Sequence, residues 1–410
     1  MVILVQLDAL SYSYFGPQYT PFLHRFSRDG AAGRLQTMLA YDGINASIFT
    51  GTWPDEHGIW TKFLRDLGHS PLRFSPFRPL GAMARQKYMG DGHRRDGKPN
   101  ALPVKALRRA FRMLAPGHPM FGAFARIPLV YAHHFDYAIL PGTFLAHDFY
   151  NGQKTIFGIL RAHGLKSGYF YGEIDRVKNY LRGLTHLEEY GLISIHSLVS
   201  LDRTAHEYGP FDPVTLAFVR YQDSLLEQFV QMVYDVIGKA RDLCFLFFSD
   251  HGMVEVTRHV DLSDFLETSL SRREMIVFID STMVRVWGQR SDLDYATEHL
   301  TQLDCGRILT KSDLERLRIH FQDNRYGDLI CSAHPGTVFV PDYFQGTQYV
   351  KGMHGYEPGP VNLDGVVILK GADVPTRSLD GVRMVDLFPT MLSILGLPIP
   401  NSNEGRSILS

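Results

Sequence analysis

A carboxylate and an imidazole stand side by side at the end of one apolar run of the chain. The run covers residues 243–248 and carries no charge, and Ser249-Asp250-His251-Gly252 follows it. Such a run predicts a strand buried on both faces of a parallel sheet. Ligands of open α/β sheets bind at the carboxyl ends of the strands, where an Asp-His pair offers an oxygen and a nitrogen to a divalent metal. Taken alone, the pair is equally typical of a strand that turns into a loop, with His251 merely packed.

Three other stretches place Asp or His residues beside a predicted strand end or a glycine turn. A carboxylate ends the apolar run at 2–7, a carboxylate and an imidazole four residues apart follow the run at 192–201, and a histidine lies within 351–356. Each feature is weak alone, because a chain with 18 histidines contains such neighbours by coincidence. Together they make six oxygen or nitrogen donors, which divide into two groups of three with open positions for substrate or hydroxide. These candidate metal ligands are Asp8, Asp202, His206, Asp250, His251 and His354.

Two such groups predict phosphoryl chemistry. Two metal ions ~3.5–4 Å apart can clamp a transferring phosphoryl group, one activating the nucleophile and one stabilising the leaving oxygen. The stretch 38–51 adds a sharp turn at Gly43 and a helix that ends at Gly51. The start of a helix that follows a strand is a ready anion site, because its backbone N–H groups point outward. We interpret His57, in the next loop, as a structural residue.

The elements that must position these residues alternate between strand and helix. This alternation predicts an α/β fold, a doubly wound and mostly parallel central sheet flanked by helices. Predicted strands cover residues 2–7, 33–37, 166–171, 192–201, 243–248 and 366–369, and predicted helices cover 20–28, 151–163, 213–239 and 384–395.

Composition sets the broad class. The 410 residues are 45% hydrophobic and 21% charged, as expected of a globular protein, and the net charge of −1 gives no argument for binding nucleic acid. The three cysteines form no zinc ribbon and no CxxC motif, and their number argues against a disulfide framework. The N-terminus lacks the basic segment of a secretory signal, and no apolar stretch is long enough to span a membrane. We therefore expect a cytoplasmic protein without a transmembrane segment.

Two segments interrupt the alternating pattern, so we predict a single catalytic domain over 1–410 with inserted cap segments. Residues 62–149 are rich in Pro, Arg, His and Phe, which favours a substrate-enclosing insertion, and 261–345 are predicted to be a mixed α/β cap. Residues 103–114 have the pattern of a basic amphipathic helix. A solvated face is the favoured interpretation, and a lid that meets an anionic or lipid-linked substrate is the alternative.

At the level of motifs the chain resembles the alkaline phosphatase superfamily, specifically its type I phosphodiesterase/nucleotide pyrophosphatase branch. The similar stretches run in the family order from Asp8 to the C-terminus. They are Leu7-Asp8, Thr50-Gly51 with Pro54 and His57-Gly58, Asp202 through His206 to Tyr208-Gly209-Pro210, Ser249-Asp250-His251-Gly252-Met253, His354-Gly355-Tyr356, Val385-Asp386-Leu387-Phe388-Pro389-Thr390, and Leu395-Gly396.

The resemblance implies two metal ions and a division of the ligands between them. One metal would be held by Asp202, His206 and His354. The other would be held by Asp8, Asp250 and His251, together with the nucleophile. The resemblance also implies that the metals are Zn²⁺, with Mn²⁺ as an alternative.

The chain departs from the family pattern at the nucleophile, where the family carries Thr or Ser at the start of the helix. Counting back from Gly51 gives Tyr41, whereas aligning on Asn45 gives Asp42. Tyr41 would attack as a phenolate, and Asp42 would ligate metal, act as a base or attack as a carboxylate. We prefer Tyr41, because its register needs no deletion inside a helix. Asn45, or the backbone N–H groups at 42–43, would hold a phosphoryl oxygen.

These observations lead to one preferred function and two alternatives. The preferred function is a two-metal-dependent phosphoester hydrolase, a phosphodiesterase or nucleotide pyrophosphatase that works by in-line attack at phosphorus. Its partner would be a small phosphoester or pyrophosphate substrate, with nucleotide-linked and lipid-linked molecules as the candidates, and not nucleic acid. A transferase that moves a phosphoryl or phospho-alcohol group onto a sugar or lipid is the first alternative. A metal-binding relative without turnover is the second. A sulfatase is disfavoured, because no Cys/Ser-x-Pro-x-Arg stretch occurs at the nucleophile.

Overall fold

The structure is a computed structural model, and it describes most of the chain. The described residues are 1–66, 68, 70, 127, 131, 133–139, 145, 150–196, 201–238, 242–272, 274–343 and 349–410. The predicted basic helix at 103–114 and most of the predicted insertion at 62–149 lie outside these ranges, so both stay predictions.

Strands in the described ranges are short, with two to seven residues each. They are β1 (Val2–Gln6), β2 (Ala31–Gln36), β3 (Phe63–Arg65), β4 (Phe135–Tyr137), β5 (Lys166–Tyr171), β6 (Tyr190–His196), β7 (Cys244–Phe248), β8 (Val254–Glu255), β9 (Arg258–Asp261), β10 (Ile276–Asp280), β11 (Met283–Trp287), β12 (Gly306–Ile308), β13 (Leu329–Ala333), β14 (Thr337–Val340), β15 (Gly352–Met353), β16 (Gly365–Lys370) and β17 (Arg377–Arg383).

Helices in the same ranges have recognisable ends. The α-helices are α1 (Pro21–Phe26), α2 (Asp42–Thr50), α3 (Pro54–His57), α4 (Ile156–Ala162), α5 (Ile174–Arg182), α6 (Leu201–Tyr208), α7 (Pro213–Val233), α8 (Ser263–Ser271), α9 (Arg290–Gln302), α10 (Lys311–Arg316) and α11 (Leu387–Ile394). In the longest, α7, the Asp212 carboxylate caps the first turn by accepting the Val214 N–H at 2.8 Å, and Pro213 takes the first helical position. Helix α2 ends where Gly51 adopts a φ of 70°.

The chain forms two compact units. The first comprises Met1–Trp60, Ile139–Glu255 and Lys351–Ser410 and contains a seven-stranded sheet in the order β17-β2-β16-β7-β1-β6-β5. Neighbouring strands are parallel except for β16, which is antiparallel to both β2 and β7. Helices α1, α5 and α7 pack against β1, β6 and β7 in one large apolar cluster. The predicted mostly parallel α/β sheet is therefore confirmed.

One predicted element is wrong. The strand predicted at 192–201 ends at His196, and Leu201 already begins helix α6. The helix buries Leu201 and Ala205 on one face. Leu192, Ile193 and Ile195 lie in a strand, whereas Leu201 lies on a helix face, and an apolar run alone does not distinguish the two.

The second unit comprises Thr61–Ala138 and Val256–Val350. It contains a four-stranded antiparallel sheet in the order β10-β11-β13-β12, together with the pairs β9/β14 and β3/β4. Its aromatic core includes Phe278 and Trp287, and it surrounds a buried Arg285–Asp280 ion pair of 2.6 Å. Strands β10 and β11 are antiparallel neighbours within the segment predicted to be a mixed α/β cap. That 62–149 and 261–345 are cap insertions of one catalytic domain stays a prediction.

Candidate active site

The first two carboxylates of the site leave the sheet at the same edge. Strands β1 and β7 are parallel neighbours in which Gln6 pairs with Phe248, and the Leu7 N–H donates to the Phe248 carbonyl at 2.7 Å. Asp8 and Asp250 each follow their strand by two residues, so both lie just beyond the carboxyl ends of adjacent parallel strands. This is the edge at which α/β sheets bind ligands.

Helix α6 and strand β15 position the next three side chains. Asp202 and His206 are four residues apart and so share one face of α6, with Asp202 Oδ1 at 3.2 Å from His206 Nε2. His206 Nδ1 lies 2.7 Å from the carbonyl oxygen of Gly352 in β15. A carbonyl only accepts, so Nδ1 carries the proton, and Nε2 is the nitrogen that a metal ion would take. His354 follows β15 directly.

His354 brings the two halves of the site together. Its ring stacks on the His251 ring with centroids 3.7 Å apart and planes 6° apart, and its Nε2 lies 3.6 Å from Asp202 Oδ1. On the other side, His251 Nε2 lies 3.8 Å from Asp8 Oδ1 and 3.7 Å from Asp250 Oδ2. The six side chains proposed as metal ligands from the sequence therefore lie in one cluster.

The cluster contains two overlapping groups of three donors, each with its atoms within 4.8 Å of one another. The groups are Asp202, His206 and His354, and Asp8, Asp202 and His251. The first is the group that the sequence predicted. In the second, Asp202 takes the place predicted for Asp250. Asp250 is held by other donors: Oδ2 accepts from Gln6 Nε2 at 2.6 Å, and Oδ1 accepts from the His251 N–H at 3.2 Å.

The electrostatics of the cluster suit a cation. Burial, and then repulsion from Asp250 and Asp202, raises the pKa of Asp8 to about 8. Burial, followed by the charge of His251, holds the pKa of His354 well below its usual value, so its ring is neutral as a metal ligand must be. The buried Nδ1 of His354 has no hydrogen-bond partner among the described residues. Crowded carboxylates and a neutral imidazole are oxygen and nitrogen donors that suit a divalent metal ion.

Three further predicted residues lie at the start of α2. Tyr41 is the residue before the helix, and its ring contacts the His354 ring edge-on with centroids 5.5 Å apart. Asp42 is the first residue of α2, and Asn45 follows in the first turn with a buried Oδ1 that has no hydrogen-bond partner in the part of the chain that the structure describes. The Gly43 N–H donates to the Trp60 carbonyl at 3.1 Å. That N–H is therefore occupied, which leaves Asn45 as the stronger candidate to hold an anion.

Comparison with known families identifies the group to which this site belongs. The sequence model of the family "Type I phosphodiesterase / nucleotide pyrophosphatase" matches residues 123–357, more than half of the chain. The chain belongs to this family. A sequence comparison with curated proteins found no match.

Solved structures agree with the family at the level of the fold. The chain is similar to human ectonucleotide pyrophosphatase/phosphodiesterase 5, with a TM-score of 0.69 and 17% identity over 98% of this chain and 96% of that one. The murine protein matches with a TM-score of 0.68 and 14% identity over 97% and 96%. An inactive murine variant in complex with AMP matches with a TM-score of 0.67 and 15% identity over the same shares. These likenesses support an alkaline-phosphatase-like fold.

Sequence reasoning missed three buried polar residues of this family member, Gln6, Ser194 and His196. All lie in otherwise apolar strands and are 8% exposed or less. The only signal was a polar residue inside a buried run, and buried polar groups need partners. No helix among the described residues has both the length and the apolar character required to cross a membrane. The cytoplasmic location stays a prediction.

Proposed function

We propose that this phosphodiesterase-family chain is a two-metal-dependent phosphoester hydrolase that acts on diesters or pyrophosphates. The observation that carries the proposal is the convergence of six carboxylate and imidazole side chains, with Asp202 common to two groups of three donors. Membership of the family supports hydrolysis of a phosphoester bond. The AMP bound by the murine relative supports a substrate that contains a nucleoside monophosphate unit.

The residues present fit two divalent metal ions. Asp202, His206 and His354 would hold one, and Asp8, Asp250 and His251 would hold the other, with Asp202 close enough to contribute to both. When bound, such ions neutralise phosphoryl oxygens and lower the pKa of an oxygen nucleophile. Mixed nitrogen and oxygen donors favour Zn²⁺, with Mn²⁺ as the alternative.

Tyr41 is the nucleophile that the geometry favours. A Cβ at Gly355 would lie 2.5 Å from the Tyr41 hydroxyl oxygen, so the phenol tip lies directly beside the backbone that follows His354. As a phenolate, Tyr41 would attack phosphorus in line, forming one P–O bond while the bond to the leaving group breaks. Water would then hydrolyse the phosphotyrosyl ester and restore the phenol. Because Asn45 lies one helical turn from Tyr41, its amide would face a phosphoryl oxygen.

The proposal is tested by hydrolysis of bis-p-nitrophenyl phosphate with and without chelator. Asp202→Asn should lower kcat/KM at least about a thousandfold, because it weakens both groups of donors at once. Asp175→Asn is the matched control, since the Asp175 side chain is 90% exposed and lies in α5. Chelation should abolish activity and added Zn²⁺ should restore it. Full activity in Asp202→Asn or in the chelated protein would exclude this mechanism.

A further inference from the structure

A buried row of hydrogen bonds runs from the sheet to the back of Asp250. Gln6 Nε2 lies 2.6 Å from Asp250 Oδ2, and Gln6 Oε1 contacts His196 Nδ1. His196 Nε2 in turn lies 2.7 Å from Ser194 Oγ. Every side chain in the row is buried, with Ser194 and His196 at 0% and 1% exposure. Because no bulk water reaches these groups, each depends on the next for its hydrogen bond.

The charge of Asp250 fixes the direction of the whole row. A carboxylate only accepts, so the Gln6 amide must turn its NH₂ group toward Asp250 and its oxygen toward His196. The amide oxygen then requires a proton on His196 Nδ1, which leaves Nε2 as the acceptor of the Ser194 hydroxyl. In the opposite arrangement, the Gln6 oxygen would face the Asp250 carboxylate, and two acceptors would be left in contact. Every donor in the row therefore points toward Asp250.

The row is built on rigid elements. Gln6 lies on β1, an interior strand of the sheet, which is paired on one side with β6 and on the other with β7. His196 is at the end of β6, and Asp250 follows β7 by two residues. Aromatic rings enclose the imidazole: Tyr169 at 4.7 Å and Phe49 at 5.6 Å between centroids. The ring therefore has little freedom to rotate away from Gln6.

We propose that Gln6 and His196 are positioning residues that hold Asp250 in the orientation needed to bind a metal ion beside Asp8 and His251. This role rests on the proposed two-metal function. Gln6 fixes Oδ2 while the His251 backbone N–H holds Oδ1, so the carboxylate cannot rotate about its χ2 angle. Hydrogen-bonding groups of this kind behind a ligand typically contribute 10–100-fold in metal affinity or activity.

The test compares Gln6→Met with His196→Leu and His196→Gln in the chain of residues 1–410 loaded with Co²⁺. Gln6→Met and His196→Leu should weaken one of the two Co²⁺ binding constants about 10–100-fold and change the visible absorption of that bound ion, because the geometry of its ligands loosens. His196→Gln keeps a donor toward Gln6 and should recover most of the affinity. Gln222→Met is the matched control, since Gln222 is buried in α7 and is no part of the ligand set. Thermal unfolding of each variant separates loss of fold from loss of positioning.

A second readout does not depend on metal. Nitrogen NMR of His196 in the metal-free protein should show a neutral ring protonated at Nδ1, and Gln6→Met should shift that signal. A ring protonated at Nε2 would overturn the proposed direction. If wild type binds Co²⁺ and hydrolyses the diester while Gln6→Met behaves like Gln222→Met, the positioning role alone fails. If wild type binds no Co²⁺, the two-metal function fails with it.

Discussion

Tyr41 is the proposed nucleophile, and its surroundings allow a direct test. Its ring contacts His354, whereas Asp42 begins the helix one residue later. We expect Tyr41→Phe to lower diester turnover at least about a thousandfold, because the substitution removes the attacking oxygen and keeps the ring. Asp42→Asn should lower diester turnover much less. Steady-state kinetics on bis-p-nitrophenyl phosphate measure both, and the reverse ranking would assign the attack to Asp42.

Gly355 must be glycine for two separate reasons, and a pair of substitutions tells them apart. Its φ of 80° disfavours any side chain, and a Cβ would lie 2.5 Å from the Tyr41 hydroxyl oxygen. We expect Gly355→Ala to destabilise the protein by about 1–3 kcal/mol through backbone strain and overpacking. In a Tyr41→Ala background the overpacking disappears, so Gly355→Ala should lower the free energy of unfolding only through the backbone strain. Urea unfolding of the four proteins gives the coupling energy. Additive effects would show that the contact is absent in solution.

The elements that carry the ligands were predictable where an uncharged apolar run ends in Asp or His. The runs before Asp8 and Asp250 have this form, and both are buried strands. Helix α6 was not predictable from the same signal, because its buried Leu201 continues the apolar run of β6. The antiparallel direction of β16 also leaves no mark in the sequence, since a strand buried on both faces is apolar whichever way it runs.

The side-chain partners within the site were less predictable than the elements. Gln6 and His196 are single polar residues in apolar strands, and their contact depends on which strands are neighbours. The choice between Tyr41 and Asp42 depends on the register of one helix, which motif spacing left open. The spacing of the motifs predicted the six donor residues. That Asp202 lies between the two groups of donors depends on which elements are neighbours in three dimensions.

The contact between Ser47 in α2 and His57 in α3 predicts how the free energy of unfolding depends on pH. His57 is fully buried, its Nδ1 accepts the Ile59 N–H at 3.2 Å, and its Nε2 lies 3.0 Å from Ser47 Oγ. Burial lowers the pKa of His57 to about 3, so the folded state keeps the ring neutral while the unfolded chain takes up a proton below pH 6.5. The unfolded state then binds more protons, and stability falls as the pH drops from 6.5 toward 3.

The size of this pH effect follows from the difference between the pKa of His57 in the folded state and in the unfolded chain. Between pH 7 and pH 5, His57 should account for about 2 kcal/mol of lost stability. Urea unfolding at both pH values measures it as the difference between wild type and His57→Gln, which does not titrate. His186→Gln serves as the control, because the His186 side chain is 65% exposed. Equal pH dependence in wild type and His57→Gln would contradict the buried neutral ring.

At the scale of the whole molecule, every proposed ligand belongs to one of the two compact units. Asp8, Asp202 and His354 come from three distant parts of the chain, yet all lie in the unit of Met1–Trp60, Ile139–Glu255 and Lys351–Ser410. The other unit has its own sheet and its own aromatic core. Metal binding should therefore stabilise the first unit directly, because a ligand stabilises the structure that contains its site.

Amide hydrogen exchange of individual peptides, with and without Zn²⁺, measures this stabilisation of the first unit by the metal. At a metal concentration 100 times Kd the gain is about 2.7 kcal/mol, which corresponds to roughly 100-fold slower exchange through openings that release the metal. We expect that slowing in β1, α6 and β7, and much less in β10 and β11 of the other unit. Asp202→Asn should remove the slowing without changing β10 and β11. Equal slowing in both units would show that they unfold together, and none in β1 or β7 would exclude a metal site at this edge of the sheet.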